Sequence, residues 1–169
     1  MAWYSIKICA WFLAALFCHE LGHVLALVYY HVPIRRVSIG ISGAVIHHDL
    51  CTYRTEFVCA LSGPAAGFLL CLIVCRRCPE LAVISCGLSF VNLLPLYPLD
   101  GGRILRSVLL QRFNEAFVMR VLKYVTAAVC CILMTAACCV TATLQMGIWP
   151  IFAVLAILWR VGSAVWSEK

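Results

Sequence analysis

A metal-binding sequence lies inside an apolar segment that is long enough to cross a membrane. His19, Glu20 and His23 form the pattern His-Glu-x-x-His, and the segment from Ile8 to Tyr30 around them is otherwise almost wholly apolar. Residues four apart share a helix face, so His19 and His23 can bind one zinc ion, with Glu20 beside them as a general base. About 20 apolar residues suffice to cross the hydrocarbon layer. The sequence therefore predicts a zinc hydrolase site within a membrane helix.

A structural role is the alternative for these three residues. In that case the histidines would hydrogen-bond neighbouring helices, and Glu20 would be their counter-charge. Burying ionisable groups at bilayer depth is costly, and a structural role does not need a glutamate beside the first histidine. A chain with 5 His and 7 Asp and Glu among 169 residues would contain such a pattern by chance only about 0.006 times. The metal-binding interpretation is therefore favoured.

The composition predicts a polytopic membrane protein. Hydrophobic residues make up 64% of the chain and charged residues 12%, which is far from the composition of a soluble domain. We expect one membrane-embedded domain over residues 1–169, with an all-α fold of about five transmembrane helices. The hydropathy places these spans at Ile8–Tyr30, Glu56–Cys75, Leu81–Leu96, Val121–Leu144 and Ile148–Trp166. Most of the 12 cysteines fall in the spans, where they would serve as small apolar fillers.

The placement of positive charge predicts the orientation. Alternate threading of the five spans puts three lysines and arginines on one side and ten on the other. Since the richer side tends to be cytoplasmic, we expect an outside N-terminus and an active site that opens toward the cytoplasm.

The segment between the first two spans predicts a small β-hairpin at the cytoplasmic face. Pro33 ends the first helix, and the apolar residues from Ile34 to Ile46 come near alternation around a turn at Ser42-Gly43. The open edge of this hairpin could bind an extended peptide, and an amphipathic connector at the headgroups is the alternative. The run from His47 to Asp49 is expected to form a solvated loop tip, because adjacent strand residues point to opposite faces.

A broken third span is expected to supply the third metal ligand. Pro95 and Pro98 cannot both sit in a regular helix interior, and Gly101-Gly102 permits unusual backbone angles. Such a break can present Asp100 to a cavity as an oxygen ligand. The alternative is that Asp100 only caps the next helix. The missing third ligand of the two-histidine site favours the catalytic interpretation.

These stretches together resemble the site-2 protease family of intramembrane zinc metalloproteases. His-Glu-Leu-Gly-His and the downstream Leu99-Asp100-Gly101 carry the resemblance, and Asn92-Leu93-Leu94-Pro95 and Ser62-Gly63-Pro64 look most like the stage IV sporulation protein FB branch. The resemblance implies a zinc endopeptidase that cleaves a membrane-associated pro-sigma factor. It also implies that Asn92 positions the substrate or stabilises the oxyanion, with a helix-packing hydrogen bond as the alternative. The chain would lack that branch's first span and its CBS domain.

The resemblance also sets the expected partners and location. We expect a multi-pass protein of the bacterial inner membrane that contacts the lipid bilayer, its protein substrate and regulatory membrane proteins, and no nucleic acid. Related proteases cleave anti-sigma factors or remnant signal peptides, which are alternative substrates. A non-proteolytic metal transporter or a partner-binding relative is the rival from another class. A transporter needs a polar route across both leaflets, and the last two predicted spans contain no acidic residue.

Overall fold

The computed structural model describes residues 2–32, 34–40, 43–48, 52–144, 152 and 154–159. Within these ranges most of the chain is helical. Its elements in chain order are α1 (Ala2–Tyr29), β1 (Ile34–Gly40), β2 (Gly43–His48), α2 (Tyr53–Val74), α3 (Pro79–Asn92), α4 (Asp100–Leu110) and α5 (Glu115–Leu144).

Helix α2 is the central element, and it packs against α1, α3 and α4. Small residues let its neighbours approach closely. A Cβ added to Gly22 of α1 would lie 2.6 Å from the carbonyl oxygen of Ser62, so only a glycine fits at this crossing. On the other side of α2, the Ser85 hydroxyl of α3 donates a 2.8 Å hydrogen bond to the Gly67 carbonyl. Close packing of this kind holds helices together where lipid removes the hydrophobic driving force.

Contacts along α1 and α3 show that both helices run antiparallel to α2. Lys7, near the start of α1, forms a 2.8 Å ion pair with Glu80, at the start of α3. These two helix starts therefore lie at the end of α2 where the chain turns into α3. The first half of α2 lies beside the second half of α1, where the Cys59 carbonyl is 2.7 Å from Nδ1 of His23.

The chain between α3 and α4 makes a compact turn that places the start of α4 at the bundle. Leu96 and Leu99 of this turn are buried and pack against residues of α5. Gly101 and Gly102 lie directly on the backbone of residues 93–97, and any Cβ at either position would overlap it. The predicted break in the third span is thus a closely packed connection that leads into Asp100.

The predicted fold class is wrong in its number of membrane spans. Among the described residues, three helices are long and apolar enough to cross a membrane, at Ser5–Tyr29, Tyr53–Val74 and Glu115–Thr141. The predicted third span is the shorter α3, whose 14 residues rise only about 21 Å against a hydrocarbon layer of ~30 Å. Hydropathy had extended this span through the apolar residues after Asn92, although the helix ends there. The predicted fifth span lies largely outside the described residues.

The connection between α1 and α2 contains β1 and β2, which pair antiparallel. Val37 is opposite Ile46, and Ile39 is opposite Ala44. His47 and His48 belong to β2 rather than to the loop tip that we predicted, because the ladder extends to the pair of Ile34 with His48. Asp49 lies outside the described residues.

Candidate metal centre

The two histidines of the motif lie side by side on the buried face of α1. Their spacing of four residues stacks them on consecutive turns, and their ring centroids are 4.9 Å apart at an interplanar angle of 80°. Both side chains are buried. The two side chains therefore share one face of the helix, as their spacing predicts.

The orientation of His23 is set by α2. Its Nδ1 lies 2.7 Å from the Cys59 carbonyl oxygen, which can only accept, so Nδ1 carries the proton and donates it. In the neutral ring this leaves the lone pair on Nε2, pointing away from α2. Gly63 makes room for the ring, since a Cβ there would overlap the imidazole. A backbone carbonyl that fixes the tautomer is a common partner of metal-binding histidines.

Asp100 completes a triangle with the two imidazoles. Its Oδ2 lies 3.1 Å from His19 Nε2 and 3.3 Å from His23 Nε2, and the two Nε2 atoms are 3.3 Å apart. Tetrahedral zinc with bonds of about 2.0–2.1 Å would hold its ligand atoms about 3.3–3.4 Å from one another. The three atoms therefore have the spacing of three corners of a zinc site.

The charges in the triangle also favour a bound cation. Burial by itself raises the pKa of the Asp100 carboxyl, but the hydrogen bonds and charges of His19 and His23 outweigh it and hold the pKa well below its usual range. The carboxylate is therefore ionised, and its Oδ2 faces Nε2 of both histidines. Two acceptors at 3.3 Å repel each other unless a proton or a metal ion lies between them. The residues present thus fit a divalent metal.

The two remaining predicted site residues are Glu20 and Asn92. Glu20 follows His19 on α1 and is partly buried. Asn92 is buried at the end of α3, where its Nδ2 donates a 3.1 Å hydrogen bond to the Leu88 carbonyl of its own helix. The roles of both residues in catalysis stay predictions.

Sequence reasoning missed three residues that shape the centre. These are Cys59, whose carbonyl orients His23, Gly63, which makes room for the ring, and Arg103, whose guanidinium lies 3.9 Å from Oδ1 of Asp100. The small residues of the Ser62-Gly63-Pro64 element favour tight packing against the first helix, with a direct catalytic part as the alternative. A carbonyl partner has no sequence signal of its own, but the glycine in that element was a usable sign of a close approach.

Comparisons with known proteins agree with this geometry. Residues 79–136 match Peptidase family M50. A solved structure, the site-2 protease from Methanocaldococcus jannaschii, superposes with a TM-score of 0.70 at 21% identity, covering 91% of this chain and 75% of that one. The chain has the site-2 protease fold. The resemblance that the motifs predicted is therefore confirmed. Together with the three candidate spans of the chain, this resemblance identifies an integral membrane protein.

Curated relatives with this resemblance include named zinc metalloproteases. Stage IV sporulation protein FB of Bacillus subtilis is 28% identical over an alignment of 153 residues that covers 82% of this chain and 52% of that protein. A zinc metalloprotease of Methanocaldococcus jannaschii is 28% identical over an alignment of 109 residues that covers 57% of this chain and 32% of that protein. The chain thus spans about a third to a half of the length of these relatives.

Proposed function

We propose that this chain is an intramembrane zinc endopeptidase. The observation that supports it most strongly is the triangle of His19 Nε2, His23 Nε2 and Asp100 Oδ2, with edges of 3.1 to 3.3 Å. This spacing suits tetrahedral zinc, and three ligands leave the open position that catalytic zinc sites keep. The fold of a site-2 protease and the zinc metalloproteases among the relatives point to the same activity.

The roles of the residues follow from their chemistry. His19, His23 and Asp100 would hold the metal, which when bound supplies a Lewis acid that polarises a carbonyl and makes water a stronger nucleophile at neutral pH. Glu20, next to the first ligand, would accept the proton from the attacking water and deliver it to the leaving amine. Asn92 would position the substrate or stabilise the developing oxyanion. Its Nδ2 has two N–H groups, so one can donate to the substrate while the other donates to the Leu88 carbonyl.

The depth of the centre bears on the substrate. His23 lies about 9 Å along α1 from its end at Tyr29, at about 1.5 Å per residue. By the positive-inside tendency this end faces the cytoplasm, so the centre would open toward the cytoplasmic face of a bacterial inner membrane. The similarity to stage IV sporulation protein FB over most of this chain favours a membrane-associated pro-sigma factor as the substrate.

Replacing the proposed base separates catalysis from metal binding. Glu20→Gln should keep one zinc per chain and lose cleavage of a co-expressed pro-sigma precursor by a factor of about 100 or more, since general base catalysis contributes 10²–10⁴-fold. Glu80→Gln is the matched control, because Glu80 pairs with Lys7 away from the centre, and it should cleave normally. Undiminished cleavage by Glu20→Gln would disprove the mechanism. Cleavage of an anti-sigma factor with the pro-sigma precursor left intact would keep the chemistry and change the substrate.

A further inference from the structure

The two carboxylate oxygens of Asp100 have different partners. Oδ2 faces the two histidines, whereas Oδ1 lies 3.9 Å from Nη1 of Arg103. Asp100 and Arg103 are three residues apart on α4, a spacing that places side chains on the same helix face. The guanidinium is therefore directed to the oxygen that does not face the histidines.

We propose that Arg103 is a positioning residue that makes Asp100 bind the metal through Oδ2 alone. This inference rests on the proposed function. A carboxylate can bind a metal through one oxygen or through both, and a second bound oxygen would occupy the position that water needs. A positive guanidinium on Oδ1 competes with the metal for that oxygen. Arg103 thus keeps the fourth position open.

Within the surrounding structure, Asp100 can move mainly by rotation of its side chain. Gly101 and Gly102 lie against the backbone of residues 93–97, which prevents the first turn of α4 from moving closer. Asp100 is also buried, with only 10% of its side chain exposed, and Arg103 is partly buried at 28%. Their attraction is therefore screened less than that of a pair on the surface. A charged partner on the same helix is well placed to limit the remaining rotation.

The chain supplies a matched control in Arg106. This residue lies one turn further along α4, and its side chain is 25% exposed, close to the 28% of Arg103. It pairs with Glu56 of α2 at 3.6 Å and with Glu115 of α5 at 3.3 Å, rather than with Asp100. Loss of Arg106 therefore removes one arginine from the same helix and breaks two ion pairs without touching the ligand.

The test compares Arg103→Met with Arg106→Met in the full chain purified in detergent. Zinc affinity is measured by competition with a chelator, and zinc coordination by X-ray absorption. Outer-shell partners of metal ligands are worth 10–100-fold in affinity, and at 3.9 Å we expect Arg103→Met to weaken zinc binding about tenfold. We also expect Oδ1 to replace the water oxygen at the metal in this variant, which should change the zinc absorption spectrum. Arg103→Lys should recover most of the affinity. Arg106→Met should leave both readouts unchanged.

The outcomes separate this inference from the proposed function. A wild-type chain that binds no zinc would overturn both. Wild-type zinc affinity in Arg103→Met, or an unchanged zinc absorption spectrum in that variant, would overturn only the role of Arg103. If Arg103→Met does not fold, Arg103→Gln removes the charge with a polar side chain and is compared with Arg106→Gln in the same way.

Discussion

The contact between Gly63 and His23 makes the substitution Gly63→Ala a sharp test of the metal centre. A Cβ at this position would overlap the imidazole of His23, so the ring must turn or α1 must move away from α2. Either shift removes Nε2 from the triangle and breaks the 2.7 Å hydrogen bond from Nδ1 to the Cys59 carbonyl. Overpacking of this kind costs about 1–3 kcal/mol. If this cost is subtracted from the free energy of zinc binding, zinc affinity should drop about 5- to 150-fold.

Gly87→Ala is the matched control, because a Cβ at Gly87 of α3 meets nothing within 4 Å. It should retain zinc, and the change from glycine to alanine within a helix should stabilise the chain by up to about 1 kcal/mol. The assay is zinc competition with a chelator, followed by thermal unfolding of the zinc-loaded protein in detergent. If Gly63→Ala binds zinc as tightly as Gly87→Ala, the position of the His23 ring, and with it the argument from the triangle, would be refuted.

Two further predictions concern packing and orientation. Gly67→Ala should destabilise the bundle by about 1–3 kcal/mol, because its Cβ would overlap the Ser89 hydroxyl, and Ser89→Ala should recover part of this loss in thermal unfolding. Alkaline phosphatase fused after Arg77 should be active and fused after Asn114 inactive, because the turn after α2 is expected outside. The start of α5 lies at the opposite end of α2, where Arg106 pairs with both Glu56 and Glu115. The reverse pattern would contradict both the orientation and a cytoplasmic substrate.

The sequence predicted which side chains lie together at the candidate site better than it predicted the spans. The His-Glu-x-x-His pattern fixes its own geometry, since four residues on a helix determine the distance between His19 and His23. The end of α3 at Asn92 is not determined in this way. Hydropathy measures how apolar a segment is, and residues 93–99 are apolar although they form a turn packed against α5. Apolar residues that pack on protein and apolar residues that face lipid have the same hydropathy, so the span count was wrong.

The position of Asp100 shows what the sequence could not supply. The break after Asn92 was foreseeable from its prolines and glycines, but the distance of 3.1 Å between Oδ2 and His19 Nε2 depends on contacts far apart in the chain. Gly101 and Gly102 must meet the backbone of residues 93–97, α3 must pack on Gly67, and His23 must fit over Gly63. Each is a close approach at a glycine whose partner is elsewhere in the sequence. The sequence therefore shows at which glycines a close approach is possible. The distances between the ligand atoms follow only from how the helices pack together.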